Sequence, residues 1–461
     1  MPTENVAALD AYFDDLRSRE FGRLGRYGHA YLDYTGSGLY AESQIRAHLE
    51  LLNSGVLGNP HADHTASRVS TAIVEGARLR VLRFLDADPA DYAVCFTANA
   101  SGALKLVAES YPFGRDTALV LSSDNHNSVH GLREYAARAG ARVRYVMLDR
   151  EMRLADAEAI LDVESGFERK LFAFPAQSNF SGVQHPFSLV SYARARGYDV
   201  LLDVAAWVPT RPFSLTRCPA DFVTLSFYKI FGYPTGVGAL VARREALARL
   251  ARPWFAGGTV AYASVYANRH LLRGGSESFE DGTPNFLAVA ALDAGFDLVD
   301  EVGWPRLSAH VSRLTAGLLE DLAALRHAGG EPVVVLYGPR SMTDRGATVA
   351  FNVLDRRGHP VPFWDVEARG RAARVSMRGG CFCNPGASEA AFGYEPSEVI
   401  RCLDEVTEGF TLDRFKNCIG PELAVGAVRA SLGMASSQDD VRRAVDVIAS
   451  FADTKPVGIA V

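Results

Sequence analysis

The stretch "RGGCFCNPGAS", residues 378–388, places Cys381 and Cys383 one residue apart in a glycine-rich setting. Such a pair offers half of a metal site, a redox pair or an exposed nucleophile. Structural zinc asks for about four ligands, usually as two such pairs, and Cys402 and Cys418 provide no matching C-x-x-C. A disulfide across i and i+2 is strained. Two readings stay open: a pair of packed loop cysteines, or a nucleophilic thiol on a flexible loop. In the second, Arg378 favours the thiolate, Cys383 is the nucleophile, and Cys381 is its neighbour or a second carrier.

Other residue types with chemical reach occur singly. Lys229 in "LSFYKIFGYPTG" lies between two apolar runs, where a lysine becomes a neutral amine and acts as nucleophile or base. Asp203 ends the apolar run "DVLLD", so its carboxylate is partly desolvated and calls for a cation. Thr97, Ala100 and Ser101 in "TANASG" precede a helix-like stretch; small residues there either cradle a phosphate or only cap the helix. His126 in "SDNHNSV" stacks on a planar ligand or sits in a surface turn, and Gln177–Gly182 is a polar cluster or a turn. His61 and His64 read as loop or channel residues, Cys95 as core, and no metal site is expected.

These residues need a scaffold that brings strand ends together. Seven apolar runs recur at 92–97, 118–123, 143–148, 171–176, 199–204, 221–226 and 238–243, most of them separated by helix-like stretches. Strands too apolar to alternate imply an α/β fold, a mainly parallel seven-stranded sheet covered by helices on both faces. Ligands of such sheets bind beyond the carboxyl ends of the strands. The small residues at 97–101, His126, Gln177–Gly182, Asp203 and Lys229 each fall at or just after the end of a run. A length of 461 residues suits two domains: a large one over 51–300, and a smaller α+β one from 1–50 and 301–461.

Composition narrows the partners. Forty-eight basic and 54 acidic residues give a net charge of −6 without long runs, which favours neither nucleic acid nor a membrane surface. The N-terminus lacks a secretory pattern. Six cysteines in 461 residues are too sparse for a disulfide scaffold, so a cytoplasmic protein with reduced thiols is expected.

A phosphate cradle, an aromatic ring, a buried carboxylate and a lysine match the needs of pyridoxal 5′-phosphate (PLP). The chain resembles the class V branch of fold-type I PLP enzymes, the cysteine desulfurases, and within it the PLP domain of molybdenum cofactor sulfurases. The likeness runs in order through "YLDYTGSGLY", "GNPHAD", "CFTANASGALKLVAES", "SDNHNSV", "PAQSNFSG", "LLDVAAW", "LSFYKIFGYPTG", "SFEDGTPNF", "RGGCFCNPGA" and "GAVRASLGMASSQDDV". It implies Lys229 as the Schiff-base lysine, Asp203 as partner of the pyridine nitrogen and His126 as the stacking ring. Asn179 falls near the phenolic oxygen, and Ala100, Ser101 and Ser226 at the phosphate. Thr283 corresponds to a residue reaching the other subunit's phosphate, which implies a homodimer with shared sites. Arg429 corresponds to the arginine that binds the substrate's α-carboxylate, Arg378 to a second, substrate-binding arginine facing the active site, and Cys383 to the persulfide-forming cysteine.

Three departures qualify the likeness. Tyr228 precedes the lysine where most desulfurases have histidine, and Ala206 replaces a glutamine; both fit the sulfurase branch. "NPGAC" reads "NPGAS", with Ser388. The chain ends close to the end of the PLP fold, so cofactor sulfuration by it alone is not expected. The implied activity is C–S cleavage on L-cysteine or a derivative, with a persulfide on Cys383 and a sulfur-acceptor protein. The alternatives are a β-eliminating C–S lyase acting on cysteine S-conjugates, with no essential cysteine, and a catalytically silent binding dimer.

Overall fold

The computed structural model describes residues 6–453. Seven strands form its central sheet: β1 (Tyr92–Thr97), β2 (Thr117–Ser122), β3 (Arg142–Val146), β4 (Arg169–Pro175), β5 (Tyr198–Asp203), β6 (Phe222–Ser226) and β7 (Gly238–Arg243). Each coincides, within a few residues, with one of the apolar runs. Their spatial order is β1-β7-β6-β5-β4-β2-β3, and only β7 runs antiparallel to its neighbours. Alternate side chains feed two cores. Val94, Phe172, Phe174, Leu202 and Val223 pack on one face, and Cys95, Leu119, Leu171, Leu201 and Leu240 on the other. Burial on both faces is why these strands read as unbroken hydrophobic runs.

A second sheet is antiparallel throughout. Its strands are β10 (Val334–Tyr337), β11 (Thr348–Val353), β12 (Arg378–Gly380) and β13 (Ala427–Ser431), after a hairpin of β8 (Val260–Ser264) and β9 (Arg269–Leu272). The order in the sheet is β10-β11-β13-β12. The first helix, Val6–Phe21, buries Leu9, Phe13 and Leu16 in one cluster with Leu307, Val311 and Leu314 of the helix Trp304–Ala324. After it, Ala30–Tyr31 pairs in parallel with Val375–Ser376, and Asp33 bridges to Ser431. That path carries the "YLDYTGSG" segment to the end of β13, beside the central sheet.

One expectation is corrected. Cys402 and Cys418 are joined by a disulfide linking the helices Pro396–Val406 and Leu412–Ile419, so the thiols are not all reduced. The two helices pack as a hairpin that sets the Cα atoms 5.7 Å apart, a separation a bridge spans without moving backbone. A loop of this length gains about 3 kcal/mol from closure. Thiol titration of the native protein should therefore find two accessible groups, Cys381 and Cys383. Unfolding without reductant should raise the count to four by releasing Cys95 and Cys218. Among the described residues no helix is long and apolar enough to cross a membrane.

Candidate active site

Lys229 sits in the short helix Phe227–Phe231 that follows β6, and Gly232 ends that helix at φ +76°. A Cβ on Gly232 would lie 2.2 Å from the amide nitrogen of Tyr40, so only glycine lets the "SGLY" segment close over the lysine. Burial lowers the Lys229 pKa; Asp203 opposes the shift and Arg429 adds to it. The amine therefore gives up its proton at lower pH than an ordinary lysine.

Around it stand the other strand ends. Asp203 closes β5; its Oδ1 accepts from the Ala205 amide at 3.0 Å, while among the described residues Oδ2 accepts no hydrogen bond. His126 begins the helical turn Asn127–His130, and its Nδ1 accepts from the Ser128 amide at 3.1 Å. A neutral imidazole then carries its proton on Nε2. Burial lowers the His126 pKa, and Lys229 lowers it further, so the ring stays neutral.

The helix Ala100–Ser110 aims its N-terminus at the same region. The Ala100 amide donates to Ser226 Oγ at 2.8 Å, Gly102 donates to Asn99 Oδ1 at 2.9 Å, and the Ser101 and Ser128 hydroxyls lie 2.6 Å apart. The Ser101 amide has no acceptor among the described residues. An unused amide, serine hydroxyls and a helix N-terminus suit a phosphate. With a neutral ring at His126, a free carboxylate oxygen on Asp203 and a depressed lysine, the donor set fits PLP.

The cysteine-bearing turn is anchored, against the expectation of a flexible loop. Phe382 and Cys383 both hold left-handed backbone, at φ +55° and +56°. Phe382 is buried against Phe180, and Cys383 and Cys381 are exposed. The Cys383 carbonyl accepts from the Asn127 amide at 2.7 Å, and the Phe382 carbonyl from Asn179 Nδ2 at 2.8 Å. Beneath them, Asn384 Nδ2 donates to Asp124 Oδ1 at 2.8 Å and to Asn179 Oδ1 at 2.9 Å. Asp124 is buried with His185, whose Nε2 lies 2.8 Å from its Oδ2, and it accepts from Ser178 Oγ at 2.7 Å. The thiol of Cys383 interacts electrostatically with Lys229, Arg378 and Arg429. Replacing Asn384 by alanine should cost about 1–3 kcal/mol by removing one donor each from Asp124 and Asn179. The expected readouts are a lower melting temperature and faster proteolysis within 378–388.

The two arginines are held together. Arg378 on β12 and Arg429 on β13 are direct cross-strand partners, and both bind Asp33. Arg429 also donates from Nη1 to the Asn179 carbonyl at 2.9 Å. Its expected carboxylate fork is thus partly committed inside the protein.

The structure brings Lys229, Asp203, His126, Ala100, Ser101, Ser226, Cys383, Arg378 and Arg429 into one region. Asn179 is there too, but its side chain turns to the cysteine loop rather than standing free beside Lys229. Thr283 stands apart: it is exposed, accepts from Asn59 Nδ2 at 3.1 Å, and lines a cavity of about 340 Å³ with Thr97, Gly102 and Asn285. Sequence reasoning missed Asp33, Asp124, His185 and Asn384. Asp33 carried one usable signal, a carboxylate between an apolar strand and a Gly-Ser-Gly turn.

Known proteins resemble this chain in sequence and in fold. The molybdenum cofactor sulfurase of Arabidopsis thaliana is 35% identical over 480 residues, covering 95% of this chain and 58% of that protein. The Bos taurus enzyme of that name is 36% identical over 453 residues, 93% of this chain and 50% of its own. The chain thus spans a little over half the length of the curated relatives it matches. In fold, a cysteine desulfurase from Thermococcus onnurineus NA1 superposes with a TM-score of 0.78 at 24% identity, over 95% of this chain and 98% of that one. The cystine C-S lyase C-DES, in complex with cysteine persulfide, reaches 0.68 at 15% identity, over 93% and 99%. Desulfurase and lyase share the scaffold, so the fold alone does not choose between them. Residues 30–444, most of the chain, match the family model for class-V aminotransferases, and the chain belongs to that family.

Proposed function

We propose that the chain binds PLP and uses it to take sulfur from L-cysteine, or a cysteine derivative, onto Cys383. The observation that carries this reading is the thiol on an anchored turn, within the electrostatic reach of Lys229 and both arginines. The name shared by the relatives supports it. When bound, the cofactor supplies an electron sink next to the substrate's α-carbon. Ser101, Ser226 and the Ala100 end of the helix would hold the phosphate, His126 would lie against the ring, and the Asp203 carboxylate would serve the pyridine nitrogen. Lys229 provides the amine for the aldehyde and then carries the α-proton. Arg429 and Arg378 hold the substrate carboxylate. The Cys383 thiolate attacks the substrate sulfur, the C–S bond breaks, and the carbon takes up a proton as alanine while the sulfur stays on Cys383 as persulfide. Purified holoenzyme given L-cysteine should release alanine and gain one sulfur atom on the peptide spanning 378–388. Alanine formation without that adduct, or an intact PLP spectrum with no product, overturns the assignment.

The working unit in this reading is a homodimer. The hairpin of β8 and β9 exposes Tyr262, Val265, Tyr266 and Leu271, and the helix Glu42–Ser54 exposes Ile45, Leu49 and Leu52. These exposed apolar residues support an interface between two copies, and Thr283 lies exposed beside a second copy in this reading. Sedimentation equilibrium should give the mass of two chains; a monomer at micromolar concentration sinks the shared-site model. The persulfide's acceptor is a second protein that docks at the exposed cysteine turn.

A further inference from the structure

Antiparallel pairing sets Arg378 directly opposite Arg429, an arrangement of like charges that destabilises a sheet unless something stands between them. Asp33 stands there. Its Oδ1 lies 3.0 Å from Arg378 Nε and 3.0 Å from Arg429 Nη2, and its Oδ2 lies 2.5 Å from Arg378 Nη2.

The carboxylate is fixed in place. Its residue bridges to Ser431, and its carbonyl accepts from the amides of Gly36 and Ser37. Gly36 packs against the ion pair: a Cβ there would lie 2.6 Å from Arg378 Nη2 and 2.6 Å from Asp33 Oδ2. The Asp33 and Arg429 side chains are only 12% and 3% exposed, whereas that of Arg378 is 49% exposed. Arg378 Nη1 makes no hydrogen bond among the described residues, so one donor edge of the cluster remains open to a ligand.

We propose that Asp33 is a permanent counter-ion which holds the carboxylate pocket at one net positive charge, so that the site takes an amino acid with a single acidic group and turns away a second. Within this hydrogen-bonded cluster, two guanidinium charges less one carboxylate leave one cation for one substrate carboxylate. A diacid such as L-aspartate then brings a negative charge with no partner, in a place where desolvation makes that costly. Asp33 is a specificity-determining residue here, not a reacting one. The inference rests on the substrate-binding role given above to Arg378 and Arg429.

The test is an absorbance titration of the PLP-loaded protein with L-alanine and with L-aspartate, which reports binding without turnover. Wild-type protein should bind L-alanine at least as tightly as L-aspartate. Asp33→Asn should shift the ratio of dissociation constants toward L-aspartate by about tenfold or more, the scale of one extra charge a few ångströms away. Adding Arg378→Gln to Asp33→Asn restores one net charge and should move the ratio back. A ratio within about twofold of wild type in folded, PLP-bound Asp33→Asn overturns the proposal. So does tighter binding of L-aspartate by the wild type, an outcome that needs no variant to fold. If wild-type holoenzyme responds to neither amino acid, the substrate-site reading itself fails, and the role of Asp33 falls with it.

Discussion

Lys229→Ala should yield a folded protein that shows no Schiff-base absorbance with PLP and processes L-cysteine at least about 10³-fold more slowly. The size of the loss follows from the two duties proposed for one nitrogen, amine for the aldehyde and carrier of the α-proton. The fold should survive, because alanine keeps the short helix and removes a cation that is costly to bury. The melting temperature of the unloaded protein should then hold or rise at neutral pH. The sign follows from linkage: the unfolded chain binds the lysine proton up to its ordinary pKa, and the folded chain loses it at lower pH. Lys229 thus opposes folding most at low pH, and the opposition fades as pH climbs through that window. Retained absorbance in the variant would place the aldehyde's amine elsewhere.

The second large effect separates desulfuration from elimination. Cys383→Ala should abolish alanine formation from L-cysteine, by about two orders of magnitude or more, while PLP absorbance and the response to L-alanine persist. An eliminating lyase releases pyruvate and ammonia and needs no protein thiol, so its turnover survives the change. The comparison is clean because the turn is held by backbone carbonyls of Phe382 and Cys383 and by Asn384, none of which the substitution removes. Undiminished turnover in Cys383→Ala decides for elimination.

How far these expectations could be reached from the amino-acid order alone differs by type of contact. All seven sheet strands coincide with their apolar runs, because burial on two faces leaves a local trace. Lys229, Asp203 and His126 were singled out by the same logic, each at or just past the end of a strand. What escaped was contact at long range. Asp33 meets Arg378 across 345 positions of chain, and Asn384 meets Asp124 across 260. No periodicity encodes such meetings. The disulfide escaped for the same reason, since only the hairpin of two helices brings Cys402 to Cys418. The glycine-rich look of 378–388 suggested mobility; the structure uses those glycines beside a buried Phe382 and a network of amides.

That network bears on how sulfur can leave. Asn384 ties the cysteine turn to Asp124 just past β2 and to Asn179 just past β4; the first tie is buried and the second partly so. A swinging arm would have to break them at every cycle and take one donor from a buried carboxylate. In the proposed reaction transfer is then a matter of access: the acceptor must travel to a stationary Cys383. Its rate should follow how well the visitor fits the rim of the site, rather than the length or suppleness of a tether.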